Sequence, residues 1–276
     1  MTQPLLDAPA PADIHVISFN IRRAMDGPLH RPRDRWSVRA PVVASLLRSE
    51  RPTILGLQEA LPRAMDVVMN ALGPTYRFIG RGRGRAGAGE GVPLVYDAER
   101  LRLHAWDQRS LSAHPHRAAS RSWGNVIPRI LVWAEFSVRS TNTRFLAVNT
   151  HLDHLSPGSR RHSAEAIAGV VASTGLPALV MGDLNAGPRS RAVRTLLTRG
   201  GLVDSWRSAD RRLTPLWGSL SGYRRPRVAA RRVDWILATP DVRVRAAAMN
   251  ARSFEGVRPS DHLPAQALLR IDEETR

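Results

Sequence analysis

The stretch Pro177-Ala178-Leu179-Val180-Met181-Gly182-Asp183-Leu184-Asn185-Ala186-Gly187-Pro188 decides how this chain is read. The apolar run at 178–181 is too short for a helix and reads as a buried strand, and the Gly, Asn, Gly and Pro that follow force a turn. Asp183 and Asn185 therefore stand at a strand's carboxyl end. Open α/β sheets place their ligands there, because the loops carry polar groups while the strand holds them still. A carboxylate beside a carboxamide offers hard-cation oxygen ligands, a base that can aim a water, and a neutral donor. The alternative is an ordinary Asx turn leading into the next helix.

Working outward, the same pattern repeats. Residues 14–20 alternate as a first strand ending on Asn20, and apolar spacing from Trp36 predicts an amphipathic helix closed before Pro52. A second strand at 53–58 delivers Glu59, and Met65, Val68, Met69 and Leu72 mark another helix. The Arg/Gly stretch 81–91 lacks the Lys-Ser/Thr pair of a nucleotide-binding loop and runs into a strand, so it reads as a mobile basic loop near the site. Strands are expected at 76–79, 92–96, 101–111, 130–138 and 145–149, the last leading to His151. A helix is expected at 159–172, and 191–197 reads as helical. Residues 202–232 read as irregular, and strands are expected at 233–238, 242–249 and 263–271. No linker or repeat interrupts this order. The expected organisation is a disordered leader over 1–12 and one catalytic domain over 13–272.

Composition narrows the chemistry. The chain has 276 residues, 43% of them hydrophobic, and no cysteine. Disulfides, thiolate zinc sites and cysteine nucleophiles are excluded. No signal-peptide core or membrane-length apolar run appears, so a cytoplasmic monomer without a membrane span is expected. The formal charge of +17 invites an anionic partner. All 41 basic residues are arginine, which points to compositional bias and weakens that inference.

The strand-end residues are chemically alike. Asn20, Glu59, Asp183, Asn185, Asp234 and Asp261 are oxygen ligands, and His151 and His262 are the only rings among them. That set suits Mg²⁺ or Mn²⁺ better than zinc. Singly, Glu59 reads equally as a helix cap, Asp234 as a surface ion-pair partner, and the histidines as core residues. Their joint placement is what those separate readings leave unexplained.

Seven motifs carry a resemblance that spans almost the whole chain. They are Ser18-Phe19-Asn20-Ile21-Arg22, Leu57-Gln58-Glu59, Gly89-Glu90 before Leu94-Val95-Tyr96, Asn149-Thr150-His151-Leu152, Gly182-Asp183-Leu184-Asn185, Val233-Asp234-Trp235-Ile236 and Ser260-Asp261-His262-Leu263-Pro264. In this order they resemble the endonuclease/exonuclease/phosphatase superfamily. The resemblance implies an α/β four-layer sandwich of two mixed β-sheets packed face to face and flanked by helices. It implies that Glu59, with Asn20 and Asp261, binds a divalent metal, Mg²⁺ with Mn²⁺ as the substitute. Asp183 would orient or deprotonate the attacking water, and Asn185 would hold that water or the phosphate. His262, kept in one tautomer by Asp234, would contact the phosphate, and His151, paired with Glu90, would assist the leaving oxygen.

The expected function is metal-dependent phosphate-ester hydrolysis, with a DNA or RNA phosphodiester as the first substrate. A small or lipid-linked phosphate ester is the alternative, and a catalytically silent nucleic-acid-binding module the second. Where some abasic-site nucleases carry a further acidic ligand, this chain has Ile21-Arg22.

Overall fold

Burial on both faces explains the continuous apolar strands of this sequence. In β1 (Asp13–Asn20), Ile14 and Val16 point to one side and Ile17 and Phe19 to the other, and all four are buried. The computed structural model describes residues 3–271. The first two leader residues and the domain end expected at 272 lie outside them. After β1 come α1 (Trp36–Glu50), β2 (Ile54–Gln58), α2 (Pro62–Leu72), β3 (Tyr76–Ile79), β4 (Leu94–Asp97), β5 (Leu101–Ser110), β6 (Ile130–Val138) and β7 (Arg144–His151). The chain continues through α3 (Pro157–Thr174), β8 (Ala178–Asp183), α4 (Arg191–Thr198), β9 (Val203–Asp204), α5 (Ser205–Ser208), β10 (Arg211–Arg212), β11 (Asp234–Ala238), β12 (Val242–Met249) and β13 (Ala265–Ile271).

Two mixed sheets result, ordered β10-β12-β13-β1-β2-β4-β3 and β5-β6-β7-β8-β11-β9. Strands β1 and β2 run parallel across α1, and β7 and β8 across α3, because a parallel neighbour requires a long crossover. The remaining pairs are antiparallel apart from the short β10–β12 contact. Three cores match the layers. Val16, Ile54, Phe136, Ala147 and Met181 lie between the sheets. Phe19, Leu57, Leu47 and Val68 join the first sheet to α1 and α2. Val148, Val180, Ile167 and Val193 join the second sheet to α3 and α4. This is the α/β four-layer sandwich.

Two features depart from the sequence reading. Leader residues expected to be disordered are anchored: Leu6 is buried against Ala246, Ala248 and Leu268, and the Leu5 N–H reaches the Glu50 carboxylate at 3.2 Å. The segment read as irregular contains β9, α5 and β10, elements too short for any periodicity to announce. No helix among the described residues is long and apolar enough to cross a membrane.

His15 on β1 is buried, with Nε2 3.3 Å from Gln266 Oε1. Burial pushes its pKa down from 6.5 to about 4. The unfolded chain therefore takes up this proton at higher pH than the folded one. The stability contribution is complete above about pH 6.5 and is lost toward pH 4, by at most ~1.4 kcal/mol per pH unit. Denaturant titrations of wild type and His15→Gln should diverge in slope across this window; parallel curves would remove His15 from the acid response.

Candidate active site

The topology gathers the strand-end residues. Register places His151 opposite Asp183 across β7 and β8, and Asp183 opposite Asp234 across β8 and β11. Asn20 closes β1, and Glu59 directly follows β2. Gly182 is needed beside them, since a Cβ there would run into the carbonyl oxygen of Thr150. Gly56 is needed between the sheets, where a Cβ would lie 2.7 Å from Met181 Sδ. A polar tie locks the two sheets at this end. Asn149 Nδ2 donates to the carbonyls of Leu57 at 2.8 Å and Pro93 at 3.0 Å, and Gln58 Nε2 donates to Asn149 Oδ1 at 2.8 Å.

Asn20 Nδ2 bridges two carboxylates, donating to Glu59 Oε1 at 3.2 Å and Asp183 Oδ2 at 3.1 Å. His262 Nδ1 donates to Asp234 Oδ2 at 2.8 Å, and its Nε2 stands 3.9 Å from Asp183 Oδ2. Asp183 Oδ1 accepts the Asn185 N–H at 2.8 Å, so the Asx turn is present while the other oxygen faces the site. His151 Nε2 accepts from Asn185 Nδ2 at 3.1 Å and lies 3.6 Å from Asp183 Oδ2. Glu59, Asp183, Asp261, His262, Arg83 and Arg129 help line one cavity of about 470 Å³. Arg22, Glu59 and Asn185 adopt positive φ of 58°, 58° and 47°. Such backbone strain in non-glycine residues collects where geometry serves function.

The electrostatics separate the two histidines. Burial works against a charged His262, yet Asp234, Asp183 and Asp261 hold its pKa up to about 10. Burial, with Arg129 and Arg83 adding to it, keeps His151 well below the usual histidine value. At neutral pH the first ring is an imidazolium and the second is neutral. Burial and the neighbouring Asp234 raise Asp183 to about 7, where a general base is best poised.

Two expected contacts are corrected. Glu90 does not pair with His151; it binds Arg83 at 2.6 Å and Arg23 at 3.2 Å, because a carboxylate between two guanidiniums is better satisfied than one beside a neutral ring. Asn185 spends its amide N–H groups on His151 and on the Leu152 carbonyl, leaving an acceptor oxygen suited to a water and not to a phosphate. The stretch read as a mobile loop is closed by backbone hydrogen bonds from Gly82 to Gly87, Arg83 to Glu90 and Gly84 to Ala88.

Several residues that shape the site carried no signal in their own neighbourhood. Ser219 Oγ accepts the N–H groups of Val233 and Asp234 at 2.9 Å, while its carbonyl accepts from Leu263 N at 2.8 Å. Arg39, fully buried, donates to the carbonyls of Ile21 at 2.7 Å, Arg23 at 2.9 Å and Asp34 at 3.1 Å. Arg129 donates to Asp153 at 3.3 Å and His154 Nδ1 at 2.9 Å, and its buried Nη1 has no partner among the described residues. Only the Pro128-Arg129 step before an apolar strand could have drawn attention to it.

The sequence profile of the Endonuclease/Exonuclease/phosphatase family matches residues 17–262. The chain belongs to this family. A family structure from Bacteroides vulgatus is 30% identical, with a TM-score of 0.86 over 94% of this chain and 99% of that one. One from Bacteroides thetaiotaomicron is 28% identical, with a TM-score of 0.87 over 97% and 100%. A mannosyl-6-phosphatase from the same organism is 28% identical, with a TM-score of 0.84 over 93% and 99%. No curated protein sequence matches significantly. As a member of this family, the chain is a hydrolase of phosphate esters.

Endonuclease/exonuclease/phosphatase enzymes are typically dependent on a divalent metal, and this chain's donors fit one. Facing atoms of Asp183, Asp234 and His262 lie within 4.8 Å of one another. The direct Asp234–His262 hydrogen bond already engages two of them, so this trio reads as proton-holding machinery. Glu59, Asn20 and Asp261 are the residues that would hold a cation. Asp261 is raised first by burial and further by Glu59, a crowding of like charge that a hard cation would relieve.

Proposed function

We propose that this chain is a divalent-metal-dependent phosphatase acting on a small phosphate ester of the sugar-phosphate class, with Mg²⁺ as the metal and Mn²⁺ able to replace it. The observation that carries this reading is the cavity of about 470 Å³, in which Arg22, Arg23, Arg83 and Arg129 stand around Glu59, Asp183 and His262. A compact, cation-lined pocket suits a phosphate and one ring. The similarity to a mannosyl-6-phosphatase supports the same class.

Glu59, Asn20 and Asp261 would hold the metal, which when bound would draw charge from the phosphoryl oxygens. His262, as imidazolium, donates from Nε2 to a phosphoryl oxygen, and Asp234, hydrogen-bonded to Nδ1, fixes its orientation and favours its charge. Asp183 accepts the proton of the attacking water as its oxygen bonds to phosphorus, the bond from phosphorus to the sugar oxygen breaks, and that oxygen takes its proton from solvent; the Asn185 oxygen helps aim the water. Neutral His151 orders Asn185. No covalent enzyme intermediate is needed.

This ordering of substrates reverses the expectation drawn from the arginine-rich sequence. Arg22 is paired with Asp34, and Arg23 and Arg83 with Glu90, so these guanidiniums do not form an open track for a nucleic-acid backbone. One feature favours a phosphodiester as the second reading: Arg224, Arg225, Arg227 and Arg231 are exposed near Leu220, which lines the cavity.

Phosphate release from hexose phosphates, nucleotides and oligonucleotides, each with EDTA and with Mg²⁺ restored, tests the assignment. A sugar phosphate should be preferred, with a weak salt response. Preference for oligonucleotides with a steep loss of binding in salt would transfer the assignment to nucleic acid. Glu59→Gln should raise the half-saturating Mg²⁺ concentration about tenfold, visible in activity and in calorimetric Mn²⁺ titration. An unchanged requirement would remove Glu59 from the ligand set.

A further inference from the structure

The second sheet carries a feature that the hydrolytic machinery leaves unused. Strand β5 begins with Leu101 and Leu103 opposite Val138 and Phe136, facing the core between the sheets. The register then shifts between Leu103 and Ala105, so that Trp106, Gln108 and Ser110 stand opposite Ala134, Val132 and Ile130. Those three partners also face the inter-sheet core. Cross-strand partners share a face, and a strand's side chains alternate strictly, so without the bulge Trp106 and Gln108 would point to the other side. Bulges on edge strands re-aim side chains in this way.

What the bulge aims at is a cavity of about 590 Å³ lined by Trp106, Gln108, Ser110, His116, Arg81 and Arg83 among others. Trp106 is 38% exposed, an unusual state for a tryptophan on a core-facing register. Gln108 Oε1 is occupied by the Arg81 N–H at 2.7 Å, which leaves its amide N–H groups to donate. His116 and Arg81 are exposed beside it. Arg83 lines both this cavity and the active-site cavity. Ile130 lines this cavity too, and also the small cleft that contains Glu59 and His151. The two chambers thus adjoin at Arg83.

We propose that the Trp106 chamber is a carbohydrate subsite that receives a second sugar unit of a phosphorylated glycan whose phosphate is hydrolysed next door. This rests on the sugar-phosphatase reading and names its substrate more narrowly. An indole face flanked by several hydrogen-bonding groups suits a sugar ring, which offers C–H groups on one face and hydroxyls around its edge. A substrate filling both chambers is larger than a free hexose phosphate.

The test compares a hexose 6-phosphate with a 6-phosphorylated disaccharide, using wild type, Trp106→Ala and, in the exposed loop, His116→Ala. The disaccharide should have the lower KM. Trp106→Ala should raise its KM about tenfold more than that of the monosaccharide, with the effect on KM and not on kcat. Saturable binding of the unphosphorylated disaccharide, followed by ligand NMR, should be weakened in both variants. This binding readout does not depend on hydrolysis, so loss of all phosphatase activity with retained Trp106-dependent disaccharide binding would overturn the catalytic reading alone. Equal KM changes for both substrates, or Trp106-dependent binding of nucleoside monophosphates in place of the disaccharide, would overturn the carbohydrate subsite.

Discussion

His262→Ala is expected to lower turnover about 10²- to 10⁴-fold, the range for a lost acid–base group. The ring sits with Nδ1 2.8 Å from Asp234 and Nε2 3.9 Å from Asp183, and three carboxylates hold it charged at about pH 10 and below. Removing it deletes the one cationic ring of the site and leaves two buried carboxylates to repel each other. The segment itself stays anchored, because Ser260 Oγ donates to the Asn20 carbonyl at 2.7 Å and Leu263 N donates to Ser219. Asp234→Asn should give a smaller loss, since the amide can still meet the ring but cannot favour its charge. Steady-state kinetics with a circular-dichroism check would decide, and wild-type turnover in a folded His262→Ala protein would exclude this ring from the reaction.

The second large effect is on architecture. Arg39→Met should destabilise the protein by roughly 3–5 kcal/mol, because several buried carbonyls lose their donor at once. Arg39 is a positioning residue. Its guanidinium holds the carbonyls of Ile21 and Arg23 at one side and Pro259, at 3.3 Å, at the other. The turn after β1 and the segment leading to Asp261 are thereby held together, and the Arg23 N–H in turn supports Glu59 Oε2 at 2.8 Å. Arg39→Lys, which keeps charge but not the fork, should fold and yet bind Mn²⁺ more weakly in calorimetric titration. Wild-type Mn²⁺ affinity together with a lowered melting temperature would reduce Arg39 to a purely structural role.

Much of the site was legible one segment at a time. Asn20, Glu59, Asp183 and Asp234 could be found because each follows or opens an apolar strand, and a strand end has only a few positions. Partners were not legible in that way. Glu90 stands in a Gly/Arg stretch that says nothing about which cation will reach it, and Arg83 and Arg23 do so from different directions. Arg39 lies on a helix whose periodicity marks it as polar and therefore outward, yet it is fully buried. Its five carbonyl partners are those of Ile21, Arg22, Arg23, Asp34 and Pro259, the last 220 residues away, and no local pattern encodes a meeting of that kind.

Alternation, turn residues and the order of motifs determined by themselves the strand–helix succession, the family and the chemical kind of the strand-end residues, since these depend on neighbours along the chain. Tertiary structure alone decided the burial and neighbours that set His262 and His151 apart and raise Asp183, that the leader docks through Leu6, and that a slip in β5 turns Trp106 toward the cavity. Charge states and cavities depend on burial and on distances between atoms that only the closed pair of sheets brings together.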